Sequence, residues 1–171
     1  MATTSRRKPP RPRFGEDIPV THQIAEAIGH AVVEWGRTED TAGVLTASLM
    51  NVDHTQFRAV ASNMMTGGKF DALAAVAQLR LPPRKAATIL NIVKEIKGLQ
   101  AERNRIVHGR WFRTRNPEVA ERHAYRAYGS LTHKQEAVSV GRIAGHTADV
   151  VRLGRRLNYA LERQGLYRRS P

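Results

Sequence analysis

From Pro83 to Gly109 the chain has no internal proline, and Ala86, Ile89, Leu90, Val93, Ile96, Leu99 and Ile106 fall at helical spacing. About 25 residues in that state make a rod of roughly 37 Å, at 1.5 Å of rise per residue. A helix this long with one apolar stripe is stable only if other elements cover the stripe. The segment therefore commits the chain to a fold built on helix packing. Pro83 suits a first helical turn, and Gly109 is a natural C-cap.

The rest of the chain supplies the partners. Ile24, Ala27, Ile28, Ala31, Val32 and Trp35 form one stripe at period 3.6, and Thr21 can cap it. Val44, Leu45, Leu49 and Val52 suggest a second helix that starts near Thr38, with Glu39 and Asp40 in its favourable first turn. Phe57, Val60, Ala61 and Met64 suggest a third, which Gly67-Gly68 breaks. Phe70, Leu73, Ala74, Ala77 and Leu81 restart a helix that Pro82-Pro83 ends. Between 110 and 140 the helical period is lost, and Asn116-Pro117 and Gly129-Ser130 read as turns among Trp111, Phe112, Tyr125, Tyr128 and Val138. A last helix starts near Gly141 and carries Ile143, Val150, Val151, Leu157 and Leu161. The expected fold class is all-α: a bundle of about five helices, with a short β-hairpin or loop inserted before the last.

Two basic tails frame this domain. Residues 1–17 alternate Arg6, Arg7, Lys8, Arg11 and Arg13 with Pro9, Pro10 and Pro12, and offer almost nothing apolar to bury. Residues 166–171 repeat the pattern on a smaller scale, which leaves 18–165 as the folded unit. No apolar run approaches the roughly 20 residues that cross a bilayer, so no membrane association is expected. Nothing apolar follows the first basic residues as in a signal peptide, so the expected location is cytoplasmic. With no Cys, neither a disulfide nor a thiolate zinc site is available. The seven His show no His-x-x-x-His or His-Glu-x-x-His spacing, so no metal is expected. Gly141-Arg142-Ile143-Ala144-Gly145-His146 lacks both the strand and the spacing of a dinucleotide loop, and no cofactor is expected.

Charge names the partner class. Lys and Arg number 28 against 15 Asp and Glu, a net charge of +13. Such an excess concentrates polyanions and gains affinity by counterion release. Arg predominates, which suits two-pronged contact with phosphate oxygens. A nucleic acid is the expected partner; a merely solubilising excess is the alternative.

The end of the long helix gathers the residues that carry chemistry. Glu102, Arg103, Asn104, Arg105 and His108 share its last two turns. Asn104 and His108 are four apart and lie on one face. Arg103 and His108 lie about 140° apart around the axis, at roughly 100° per residue. One helix therefore does not close Arg103 onto His108, whereas two copies packed antiparallel would set two Arg and two His around one cleft. The spacing thus points to a symmetric homodimer with a shared site. Metal-free RNA cleavage requires a base for the 2′-hydroxyl, cations for the phosphorane and an acid for the leaving 5′ oxygen. Against this stands the plain alternative of a helix C-cap whose Arg residues offset the helix dipole.

Arg103-Asn104-x-x-x-His108 resembles the Arg-polar-x-His signature of the HEPN superfamily, with Asn in the polar place. The likeness extends over about residues 20–163, through Ile28-Gly29-His30, Trp35, Lys69-Phe70-Asp71-x-Leu73 and Val107-His108-Gly109-x-Trp111. The resemblance implies a compact helical bundle, commonly dimeric, with a short β-like insertion before the last helix. It implies a metal-independent endoribonuclease of a toxin–antitoxin or defence system, which brings an antitoxin protein as a possible partner. The other implied outcome is a catalytically inactive relative that binds nucleic acid or nucleotides, or acts as a scaffold. By this likeness Arg103 would stabilise the scissile phosphate, His108 would be general acid or base, and Asn104 would orient the phosphate or the His. Arg105 and Arg110, extra positions in this chain, are expected to serve only as RNA contacts.

Other residues invite blander readings. His30 and His146 read as surface or core polar residues, and Met64-Met65 as core filling. Trp111 and Phe112 either stack on an unpaired base or pack the insertion against the bundle, with packing the expectation. Arg152, Arg155, Arg156 and Arg163 form a basic face, read as solvated.

Overall fold

A computed structural model describes residues 20–128 and 130–163, with side chains except at 125–132 and 161. Both basic tails lie outside the described residues. The elements in order are α1 (His22–Met50), α2 (His54–Ala61), α3 (Thr66–Arg80), α4 (Pro83–His108), β1 (Arg110–Arg113), β2 (Val119–Tyr128), β3 (Ser130–Ser139) and α5 (Val140–Arg163). The result is a helical bundle with a β insertion before the last helix, as the sequence implies.

One expected boundary disappears and another moves. α1 is one helix of 29 residues where two were expected. Thr38, read as the start of the second, sits inside it, and its hydroxyl donates to the Glu34 carbonyl at 3.0 Å. The apolar stripe only drifts around the axis here, because 3.6 residues per turn do not divide a seven-residue repeat evenly. Asn51 ends the helix in the left-handed region, φ 58°, which its short side chain tolerates. Gly67-Gly68 does not break a helix but opens α3 in its first turn. There the backbone N–H groups have no helical partner in any case.

Four helices form a ring in which α1 packs on α5 and α3, and α4 on α3 and α5. Paired contacts fix the directions. Trp35 meets His146 and Thr38 meets Gly154, so α1 and α5 run parallel. Asp71 meets Lys97 and Gly67 meets Gln100, so α3 and α4 are antiparallel. The core of this ring holds Trp35, Leu45, Phe70, Leu73, Ile89, Ile96 and Leu153. α2 lies outside it, with Phe57 and Ala61 on Ala47.

The insertion is larger than a short hairpin. It is a three-stranded antiparallel sheet in the order β1-β2-β3, with two strands of 10 residues. Its inner face seats Ala120, Val138 and Trp111 on Ile24, Ile106 and Ile143. This second core clamps the sheet over the end of α4 and the starts of α1 and α5. Thr21 caps α1 as expected, and its hydroxyl also donates to the Pro117 carbonyl at 2.6 Å.

Candidate functional site at the end of the long helix

The last two turns of α4 point their side chains three ways. Glu102 faces the sheet and α5, Arg103 faces α1, and Asn104 and His108 face outward with Ala101 and Arg105.

Glu102 is the hub of a carboxylate–guanidinium network. It accepts from Arg105 Nε at 2.7 Å and pairs with Arg122 at 3.1 Å and Arg142 at 3.2 Å. Arg122, only 2% exposed, also bonds Glu136 at 2.8 Å, and Arg142 bonds Glu136 as well. Three cations and two carboxylates thus tie α4, β2, β3 and α5 together. Burial works to raise the Glu102 carboxyl, but Arg122 and Arg105 outweigh it and hold it below the usual carboxylate range. Arg142, then Arg122, hold Glu136 down to about 2. The Arg122 guanidinium also lies over Trp111, 5.6 Å from the ring centroid, and the Trp111 indole donates to the Ile106 carbonyl at 3.0 Å. That bond satisfies one of the carbonyls that a helix C-terminus leaves unpaired.

Arg103 is half-buried. Its guanidinium lies over Trp35 at 5.8 Å from the ring centroid, within cation–π reach, and donates to Asn104 Oδ1 at 3.1 Å. Its Nε is buried without a hydrogen-bond partner. Trp35 also stacks on His146, with centroids 6.4 Å apart and rings 8° from parallel. Burial pushes the His146 imidazole below its ordinary value, against the opposing charges of Glu102 and Asp149. The Trp35 indole donates to Glu39, which also binds Lys69 and Thr66. Arg103 is therefore positioned by a fixed aromatic wall.

Arg103 and Asn104 come together, whereas His108 is exposed and makes no hydrogen bond to either of them. Arg105 is engaged with Glu102. Arg110 is exposed in β1, opposite His123. Gly109 follows His108 as C-cap, but with φ −66° and ψ 146° it is extended, not left-handed. The reason for glycine is space. A Cβ there would lie 2.6 Å from the Arg105 carbonyl oxygen and 2.8 Å from Arg122 Cγ.

Sequence reasoning missed the network. Glu102 was visible beside the motif, but nothing marked Arg122, Glu136 and Arg142 as its partners across the fold. The basic face expected on α5 is partly tied down, since Arg152 and Arg156 bond Glu95 of α4. Among the described residues, no carboxylate pairs with Arg103, Arg110, Arg113 or Arg115, all at the end of α4 or in the strand and turn that follow. Nor do three or more His, Asp or Glu of the described residues gather as metal ligands would. No described helix is long and apolar enough to cross a membrane. A groove of about 730 Å³ between α1 and α5 is lined by Ala27, His30, Ala144 and Val151 and by none of the motif residues. Comparison with protein-family models, characterised proteins and solved structures gives no match to this chain.

Proposed function

We propose that the chain is a metal-independent endoribonuclease of the HEPN type, acting as a homodimer in the cytoplasm at a composite site of Arg103, Asn104 and His108. One observation carries the reading. His108 is exposed and unpaired at the end of the same helix on which Arg103 and Asn104 are joined and held by Trp35. An exposed imidazole from one copy and a fixed guanidinium from the other would together supply proton transfer and phosphate binding.

In the reaction, one imidazole takes the proton of a ribose 2′-hydroxyl, and the 2′ oxygen attacks the adjacent phosphorus. Arg103, with Asn104, holds the charge of the phosphorane. The second copy's imidazole returns a proton to the leaving 5′ oxygen. The products are a 2′,3′-cyclic phosphate and a 5′-hydroxyl. Two copies are required, because Arg103 leans on α1 while His108 points outward. An antitoxin protein that covers the Asn104–His108 face would hold such an activity in check.

The test is incubation of the purified protein with RNA in EDTA, with analysis of the ends. Cyclic-phosphate ends should form, and His108→Ala should slow their formation by about 10²–10⁴-fold. Equal cleavage by wild type and variant rejects the proposal. A second reading, an inactive RNA-binding module or scaffold, is favoured by the Arg103 guanidinium bonding Asn104 rather than His108. It expects salt-sensitive RNA binding that survives His108→Ala, with no cyclic-phosphate product.

A further inference from the structure

The outer face of the inserted sheet carries a row of rings. Phe112 of β1 lies 4.5 Å from His123 of β2, centroid to centroid, and His123 lies 4.9 Å from His133 of β3. The register sets Phe112 opposite Glu121 and His123 opposite Gln135, so the row runs diagonally across all three strands. Such diagonal neighbours are within reach of ring side chains. Glu121, its side chain 42% exposed on the same face opposite Phe112, braces the central ring, accepting from Gln135 at 2.8 Å and approaching His123 Nε2 at 3.4 Å, while His133 Nε2 meets His123 Nδ1 at 3.1 Å. Phe112 is 43% exposed.

This answers the question that the adjacent aromatics pose. Trp111 faces inward and packs, while Phe112 faces outward and covers no core. Arg110, exposed and without a carboxylate partner, lies on the same outer face. The outer face therefore offers exposed rings beside an unmatched cation, and on a chain of net charge +13 that pairing favours a polyanion as the occupant. A base has two π faces, and its backbone has a phosphate for the cation. The sheet also begins beside the motif. From His108 to Phe112 the chain spans at most about 14 Å, even fully extended.

We propose that the Phe112–His123–His133 row is a stacking platform for unpaired bases of single-stranded RNA, with Arg110 on the adjoining phosphate. The proposal rests on the ribonuclease reading for its ligand and names that ligand's form: unpaired strands rather than duplex. It is tested by binding, which does not need cleavage. A labelled oligouridine and an RNA duplex of equal length are titrated against the His108→Ala protein and against the same protein carrying Phe112→Ala, Phe112→Tyr or Arg110→Ala. The oligouridine should bind more tightly than the duplex. Phe112→Ala should weaken its binding about tenfold at unchanged salt slope, and Phe112→Tyr should restore it. Arg110→Ala should lower the salt slope by about one. Equal affinity for single strand and duplex overturns the proposal, as does wild-type affinity in Phe112→Ala. A Phe112→Ala protein that binds RNA normally but loses self-association overturns it too, since the face is then a protein interface. If wild type never cleaves while Phe112→Ala still weakens binding, the platform stands and the ribonuclease falls. If cleavage depends on His108 while KM is unmoved by Phe112→Ala, the reverse holds.

Discussion

Replacing Arg122 with Met tests whether the Glu102 network holds the end of α4. The side chain is 2% exposed, bridges Glu102 and Glu136, and covers Trp111. Met keeps most of the stem's volume and removes the charge and the donors. Removing one partner from a buried ion pair costs about 3–5 kcal/mol, chiefly because it strands the other charge. Here neither carboxylate is stranded outright. Glu102 keeps Arg105 and Arg142, and Glu136 keeps Arg142. The expected loss is therefore smaller, about 2–3 kcal/mol, which for a domain of this size lowers Tm by roughly 5–12 °C.

Urea denaturation of wild type, Arg122→Met, Glu102→Gln and the double variant separates network from packing. Because the two residues touch, their effects should be non-additive, with a coupling of at least about 1 kcal/mol. In the double variant the neutral Gln no longer suffers from the missing cation. A single variant within about 0.5 kcal/mol of wild type refutes the reasoning, as does simple additivity in the cycle. Either result would mean that the apolar contacts of Ala120, Val138 and Ile106 seat the sheet without help from charge.

Two further predictions concern the same region. Gly109→Ala should destabilise by about 1–3 kcal/mol through overpacking. Its φ suits alanine, so a gain in stability would show that Arg122 and the Arg105 carbonyl yield, and would remove steric contact as the reason for glycine. Acidification should act in two stages, because His146 and the depressed carboxylates, Glu136 and Glu102 among them, bind protons more readily when unfolded. His146 contributes stability above its ordinary value of 6.5 that fades as pH falls below it. Glu136 contributes stability above 4.5 that is lost as pH falls toward about 2. His146→Phe keeps a ring against Trp35 and should abolish the first stage alone; an unchanged pH slope below 6.5 would show that His146 is not its source.

The helices were legible because burial writes itself into them at a fixed period. Ile89, Val93 and Ile96 announce α4, and Pro83 and Thr21 mark real starts. The sheet was less legible because its inner face is not apolar throughout. Along β2 the inward positions are Ala120 and Arg122, and Arg122 reads in isolation as a solvated residue. Its burial depends on carboxylates at 102 and 136, which only the closed fold brings to it. The same applies to Arg103. Its place at a helix end was readable, but the Trp35 and His146 wall that orients it comes from helices far away in sequence.

Charge pairing divides the arginines by role. Arg105, Arg122 and Arg142 are matched to Glu102 and Glu136, and Arg152 and Arg156 to Glu95. Each matched arginine has little field left to offer a ligand, since its charge is locally neutralised. Arg103, Arg110, Arg113 and Arg115 have no such match, and they follow one another along the end of α4 and into β1 and its turn, with His108 among them. Among the described residues, Arg80, Arg84, Arg155 and Arg163 are unmatched as well, on α3, α4 and α5, so the cationic excess of the described fold is shared between that segment and the helices. Part of it collects along the segment that carries the exposed imidazole and the outward Phe112. A polyanion drawn to that stretch meets the motif and the ring row together, so a salt-dependence measurement on Arg113→Ala and Arg115→Ala should show the same loss of slope as Arg110→Ala. A slope that changes instead with Arg152 or Arg156 would place the ligand on α5 and separate the charge of this chain from its motif.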